Sequence, residues 1–388
     1  MMNIRSEIKK IEDKIIKWRR DFHKYPELSF QEIRTADQIT KELKSMGLEP
    51  KINVGRTGVT ADLKFGDGPM IGLRADMDAL PIQETSGLEF ASKNNGVMHA
   101  CGHDGHIAML LGTAYVLTQN KYPYQGTIRF IFQPAEEGEG GARYMIEDGC
   151  LNDLDQIYGI HVWNYQALGE VGVKAGPIMA SADMFDIKIK GIGGHGAAPQ
   201  GTVDTIIVAS YLVQALQTIV SRNTNPLEST VITIGKINGG HNFNIIADQV
   251  SLSGTTRAYT ESNRNLIKSR MKEIISGVAE TYNAEIILDY RDGYPPTINY
   301  PEPSQLVLEA AQKVVGEKAG PPYLSMGGED FAYYLQKIPG CFFFIGSAPN
   351  KNKLFETPHH CSHFNMDEQA LLVGPSVYLN LIDKIMGN

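Results

Sequence analysis

Ile4, Ile8, Ile11, Ile15 and Phe22 recur with Lys, Arg and Glu between them, the period of a helix that buries one face. That helix ends near Tyr25-Pro26, and a second follows over about 30–45, stopped by Gly47. Short apolar runs of strand character then alternate with helical ones. VTADLKF (59–65), MIGLRAD (70–76), TIRFIFQ (127–133) and QIYGIHV (156–162) read as strands, and HIAMLLGTAYVLTQN (106–120) and GGARYMIEDG (140–149) as helices. Strands alternating with helices predict a mostly parallel sheet covered on both faces, with its ligands at the carboxyl ends of the strands.

Over 183–294 the order changes. MFDIKIKGI (184–192) is a strand, 202–222 a helix, STVITIGKI (229–237) and QVSLSGTTRAY (249–259) strands, 261–283 a helix and AEIILDY (284–290) a strand. This βαββαβ order predicts a ferredoxin-like domain. After Tyr294-Pro295-Pro296 the earlier alternation resumes with helices over 304–315 and 329–337, a strand CFFFIG (341–346) and a last helix over 367–386. The economical architecture is an α/β domain of 1–182 and 295–388, interrupted by an inserted α+β domain of 183–294. Neither a tandem repeat nor a low-complexity tract occurs.

Composition narrows the class. The 388 residues are 42% hydrophobic and 21% charged, which excludes a disordered chain, and a net charge of −8 disfavours a nucleic-acid binder. Four cysteines (Cys101, Cys150, Cys341, Cys361) make no disulfide framework and predict a reducing, cytoplasmic setting. Residues 1–22 are too charged for a signal peptide, and the longest apolar run (107–117) is too short to span a bilayer, so no membrane role is expected.

Candidate chemistry collects beside the strands. HACGHDGH (99–106) places a thiol and an imidazole two residues apart on a Gly-rich helix entry, a pairing suited to Zn²⁺ or structurally incidental. Glu136 and Glu137 in QPAEEGEGG (133–141) diverge at a strand's end, so one could ligate a metal while the other carries a proton; a solvated acidic turn is the plainer alternative. His161 ends a strand-like run, where a core histidine is common, and TPHHCSH (357–363) gathers further imidazoles. What these segments share is a position at the carboxyl ends of strands in one sheet. Cys101, His103, a glutamate of the pair, His161 and one of His359/His360 offer five ligands, too many for one open tetrahedral zinc and about right for two metals sharing a ligand. Gly191-x-Gly193-x-x-Gly196 imitates a dinucleotide fingerprint, but residues 197–201 separate it from the next helix.

The segments RRDFHKYPELSFQE (19–32), GLRADMDALP (72–81), MHACGHDGH (98–106), FQPAEEG (132–138), GIHVWN (159–164), GGHGAAP (193–199), MGGEDF (326–331) and HHCSHFNMDEQAL (359–371) resemble, in order and spacing, the di-metal amidohydrolases that include aminoacylases, hippurate hydrolases and auxin–amino acid conjugate hydrolases. The resemblance implies a catalytic domain of the zinc-aminopeptidase type with an inserted ferredoxin-like lid. It further implies that Cys101, His103, Glu137, His161 and His360 hold two divalent ions, Zn²⁺ or Mn²⁺, with Co²⁺ or Ni²⁺ also compatible. The family pattern is Leu-His where this chain has His359-His360. By the same mapping Glu136 is the general base, Asp78 (with Asp76 close by) orients a ligand, and His195, Asn244 and Arg257 of the lid grip the substrate. In dimeric members the lid histidine reaches the neighbouring subunit, so a homodimer or higher homo-oligomer through the lid is expected. Gly327-Gly328 departs from a Ser-containing variant of that loop and bears on substrate preference. The implied activity is hydrolysis of N-acyl-amino acids, small-molecule substrates. A carboxypeptidase or an N-acetyldiaminopimelate deacetylase would use the same groups, and a non-catalytic binder would not need the Glu136-Glu137 pair. A zinc nucleobase deaminase would need HxE with PCxxC, which the chain lacks.

Overall fold

The strands Thr127–Gln133, Met70–Asp76, Gln156–Ala167 and Gly340–Ala348 lie side by side in that order and run parallel. They are apolar on both faces: Phe130, Phe132, Ile160, Phe342 and Phe343 are all buried, as expected for strands covered by helices on either side. At one edge Gly58–Lys64 and Lys51–Val54 add antiparallel; at the other, the two-residue strands Val171–Gly172 and Ala319–Gly320 complete eight strands. The helix His103–Gln119 is buried along nearly its whole length and packs on this sheet with Glu12–Lys24 and Ala370–Met386 in one continuous core.

The computed structural model describes residues 2–350 and 352–387, and the chain divides into two compact units. The first comprises the residues up to Gly176, Ile298–Leu324 and those from Asp330 onward; the second is Pro177–Thr297 with Ser325–Glu329. In the second, an antiparallel sheet has the order Thr230–Gly239, Gln249–Ala258, Ala182–Lys190, Glu285–Tyr294. Val208, Leu212 and Leu216 of the helix Thr205–Thr218 join Ile267, Met271 and Ile275 of Glu261–Tyr282 over Phe185, Ile187, Ile189 and Leu252, forming a separate core. Side-chain caps start both helices: Asp204 accepts from the Ile206 and Ile207 amides, and Thr260 from that of Asn263. This is the ferredoxin-like arrangement, and with the large mixed sheet of the first unit it makes the chain an α/β protein with an inserted ferredoxin-like unit.

Several elements depart from the periodicity. The helical stretch expected over 202–222 ends at Thr218 and passes into a wider turn, Ile219–Asn223. The segment expected as a helix over 329–337 is helical only at Ala332–Leu335, because the Asp330 carboxylate is drawn inward onto the Ala142 amide and Gln133. Among the described residues no helix is long and apolar enough to cross a membrane.

Candidate metal centre and active site

Two local features gather the candidate ligands. The helix His103–Gln119 starts three residues before the apolar period suggests, because Gly102 caps it at φ +96. A Cβ there would lie 2.3 Å from Cγ2 of Val162, so this turn, flanked by Cys101 and His103, requires glycine. His161 does not end its strand as the sequence suggested; the strand continues to Ala167, with Gly340–Ala348 paired to it from Ile157 to Trp163 and, after a bulge, again at Ala167. Pairing to Met70–Asp76 stops at Arg74 opposite Gly159, and beyond that point the Cys101–His106 segment takes the neighbouring strand's place.

Sγ of Cys101 lies 3.4 Å from Nε2 of His161, and Oε1 of Glu137 lies 3.8 Å from Nε2 of His103 and 3.4 Å from Nε2 of His360. Donor atoms of Cys101, His103 and His161 all fall within 4.8 Å of one another, as do those of Cys101, Glu137 and His360, and those of His103, Glu136 and Glu137. Cys101, His103 and Glu137 each belong to two of these groups, so six side chains form one continuous cluster. Among the described residues, Nε2 of His103 and Oε1 of Glu137 are buried without a hydrogen-bond partner. Leaving such atoms unpaired costs about 1–3 kcal/mol each unless something else binds them. Electrostatics points the same way: burial and the nearby Glu137, Glu136 and Asp76 push the Cys101 thiol well up, and a divalent cation would reverse each of these effects. Although burial opposes it, Asp76 and Asp78 hold the His103 proton up to about 10, while burial keeps His161 neutral. The residues therefore fit a cationic group.

His359 and His360 part company. Nε2 of His359 accepts the Asn164 amide at 3.1 Å and its Nδ1 faces the Cys101 carbonyl at 3.2 Å, so both ring nitrogens are engaged by backbone. His360 sits in left-handed backbone at φ +64, its amide donating to the Ala100 carbonyl, with its ring half exposed beside Glu137.

Beneath the ligands, carboxylates hold the backbone. Asp78 accepts the amides of Glu136 (3.0 Å) and Glu137 (2.9 Å) and the Ser29 hydroxyl (2.8 Å), and its carbonyl takes Nδ1 of His103 at 2.9 Å. That last bond fixes the His103 ring through Nδ1, so Nε2 is the nitrogen left to ligate once a bound cation displaces its proton. Sequence reasoning missed Glu32. Fully buried, it accepts the Ala135 amide at 2.9 Å and the Thr57 hydroxyl at 2.6 Å, so amides 135, 136 and 137 are all clamped and Ala135 is held at φ +56. His106 was missed too: Nδ1 donates to Asp76 at 2.6 Å and Nε2 accepts the Val162 amide at 2.8 Å, replacing the ladder bond lost beyond Gly159. Its spacing of three from His103 on one helix was the available signal. Asp76 in turn is bound by Arg74 at 2.5 Å, and Arg74 also binds Asp330 at 3.0 Å.

In the lid, His195 pairs with Ile245 in a two-residue ladder, and the Asn244 carbonyl accepts the Gly196 amide, so His195 and Asn244 are neighbours on an exposed rim. Arg257 is not with them. It lies at the far end of Gln249–Ala258, opposite Val231, its guanidinium on Thr255 and the Thr256 carbonyl. His195 follows the other end of that sheet, where Lys190 pairs with Gln249, and eight strand residues at roughly 3.4 Å each separate the two ends by about 27 Å.

Peptidase family M20/M25/M40 matches residues 72–384. An N-acetyl-L-cysteine deacetylase of Bacillus subtilis is 44% identical over 363 residues, covering 93% of this chain and 86% of that protein. Thermostable carboxypeptidase 1 of Saccharolobus solfataricus is 41% identical over 376 residues, 96% of this chain and 95% of its own. The crystal structure of the Bacillus subtilis YXEP protein, described as a dinuclear metal binding peptidase, superposes with a TM-score of 0.85 at 37% identity over 97% of this chain and 99% of that one. Fold, clustered candidate ligands and relatives agree, and the chain belongs to peptidase family M20/M25/M40, a family of hydrolases.

Proposed function

We propose that the chain hydrolyses the amide bond of N-acyl-amino acids, with Cys101, His103, Glu137, His161 and His360 holding two divalent ions and Glu136 acting as general base. The observation that carries this reading is the position of Glu136. Its carboxylate lies 4.0 Å from Nε2 of His103, at the rim of the ligand cluster, while its amide is fixed by Asp78. The YXEP likeness supports two ions, and the thiolate and imidazole donors favour Zn²⁺, with Mn²⁺, Co²⁺ and Ni²⁺ as further candidates.

When bound, the ions polarise the amide carbonyl and lower the pKa of a water from about 15.7 towards about 7. Glu136 takes the water's proton and passes it to the departing nitrogen, which leaves as an amine; transfer of this kind is worth about 10²–10⁴-fold. Asp78 keeps Glu136 from swinging away by holding its backbone. From the lid, His195 donates a hydrogen bond to the developing oxyanion, Arg257 pairs two-pronged with the carboxylate of the amino-acid half, and Asn244 completes the grip. Because His195 and Arg257 stand at opposite ends of one lid, a single substrate meets both only if two copies of the chain share a site, which supports a homodimer. Exposed Ile206, Ile207 and Tyr211 on the lid helix and Ile237 on its edge strand offer the apolar surface for it.

Glu136→Gln tests the reading. Turnover on N-acyl-amino acids should fall by about 10²–10⁴ while bound metal is retained, and near-parental turnover would remove Glu136 from the mechanism. The Saccharolobus relative favours a second reading, a carboxypeptidase acting on the last peptide bond, which uses the same groups. A panel of N-acetyl, N-benzoyl and dipeptide substrates on metal-loaded enzyme separates the two.

A further inference from the structure

Two arginines of the second unit stand near one carboxylate and share it unequally. Asp183, fully buried, accepts Nε and Nη2 of Arg264 at 2.9 and 2.6 Å, the Gly293 amide at 2.9 Å and the Tyr290 hydroxyl at 2.9 Å. A carboxylate offers about four acceptor positions, so Asp183 has none left. Arg257 is therefore without an acid. Among the described residues its guanidinium makes two hydrogen bonds, both from Nη1, to the Thr255 hydroxyl and to the Thr256 carbonyl (3.0 Å). The N–H groups on Nε and Nη2, which together form the fork that matches a carboxylate, stay open. Burial pulls the Arg257 pKa down and Asp183 offsets this only in part; a bound anion would complete the compensation.

Thr255 is what holds Arg257 in this pose. Residues two apart on a strand share a face, so the two side chains lie together, opposite buried Thr256 and Ala258. The Thr255 hydroxyl has a single hydrogen, which it donates to the Asp183 carbonyl at 2.6 Å; towards Arg257 it can only accept. Asp183 thus fixes the acceptor with its backbone, while its carboxylate, through Tyr290 and the Thr256 hydroxyl 2.6 Å beyond, holds the next residue. We propose that Thr255 is a positioning residue, which pins Nη1 so that the Nε/Nη2 edge of Arg257 is aimed in advance at the free carboxylate of the substrate's amino-acid half. This rests on the N-acyl-amino acid reading, in which Arg257 takes that carboxylate. A free arginine side chain loses rotamer freedom when it grips a ligand, and a pinned one loses less. The gain is one of binding, so its removal raises KM rather than lowering kcat.

The experiment measures release of acetate from N-acetylmethionine and N-acetylmethioninamide by the metal-loaded enzyme; the two differ only in the charge that Arg257 would meet. In kcat/KM the acid should be preferred by at least about thirtyfold, and Arg257→Ala should bring that ratio to within about threefold of unity. Thr255→Val keeps the outline of the side chain and removes the hydroxyl. It should raise KM for the acid about five- to tenfold, with kcat and the KM of the amide each within about twofold of the parent. Thr255→Ser, which keeps the hydroxyl, should restore the parental ratio. Calorimetry on the metal-loaded Glu136→Gln protein reads the same preference in Kd without turnover, and there too Thr255→Val should reduce it and Thr255→Ser keep it. A preference that Thr255→Val leaves intact, equal losses on acid and amide, or a Thr255→Ser protein as impaired as Thr255→Val would each overturn the proposal. If Arg257→Ala keeps the preference, the carboxylate does not go to Arg257 and the proposal falls with that assignment. If neither compound is hydrolysed, the reaction class assigned above fails instead, and the calorimetric comparison still decides the role of Thr255.

Discussion

The two units present their candidate residues in opposite ways. In the first, Cys101, His103 and His161 are buried, and each is tied down from behind: Gly102 sets the turn, the Asp78 carbonyl fixes the His103 ring, and His106 holds the peptide after His161. In the second, His195 and Asn244 are exposed on a two-residue ladder, and among the described residues the side chain of His195 accepts only the Ala197 amide two residues on. The contrast teaches where rigidity is needed. Atoms that ligate a cation must be held to within about half an ångström to bind it well, and the exposed ladder of the second unit carries no comparable set of fixing contacts.

The comparison breaks first at His195. Under the proposed reading, His195→Ala lowers kcat by about 10²–10³-fold, with bound metal and melting temperature unchanged, because the residue is exposed and lies outside the core of its own unit. Mixing His195→Ala chains with Glu136→Gln chains should then restore activity to about a quarter of the parent, since mixed dimers assemble one intact site. If mixing restores nothing while each variant alone is impaired, His195 does not act across a dimer. Next in size is Asp78→Ala, which frees the Glu136 and Glu137 amides and the Ser29 hydroxyl together. Metal affinity, read by calorimetry, should drop about 10–100-fold, and turnover at saturating metal should fall as well. An Asp78→Ala protein that binds metal at parental strength would make the carboxylate scaffold dispensable and erase the distinction between the units.

How much of this was legible in the sequence follows from the same contrast. Met70–Asp76 and Thr127–Gln133 stand where the apolar runs placed them, because strands covered on both faces carry an uninterrupted hydrophobic signal. The βαββαβ order of the lid was equally plain, since its strands alternate buried and open positions, as Ala182–Lys190 does. The start of the His103 helix was not, because a left-handed glycine cap looks like loop until Val162 is known to lie against it. Glu32 and His106 escaped for a related reason. Their partners, the Ala135 and Val162 amides, are 103 and 56 residues away in the chain, and no local pattern announces which backbone groups a strand's early termination leaves unpaired. The separation of Arg257 from His195 needed the sheet order itself, which makes strand neighbours of residues distant in sequence and sends their ends apart.

Glu32 gives the smallest effect and the sharpest probe of the scaffold. Burial, helped by the nearby Asp78, pushes its carboxyl up to about 7, despite the Thr57 hydroxyl and Ala135 amide that it accepts. A carboxyl whose folded pKa is raised binds its proton more tightly in the folded than in the unfolded chain. Its contribution to stability is therefore fully present below the ordinary glutamate range and is lost as pH rises through about 7. Glu32→Gln keeps an acceptor for the Ala135 amide and cannot ionise. Melting curves at pH 5, 6, 7 and 8 should therefore show the variant gaining on the parent as pH increases, by on the order of 1–3 kcal/mol across the range. Turnover should change less than tenfold, because amides 135 to 137 remain held. A stability difference that stays constant with pH would mean that Glu32 is ionised in the fold throughout, so that the clamp under Ala135 is a charged one and Asp78 and Glu32 share their burden differently.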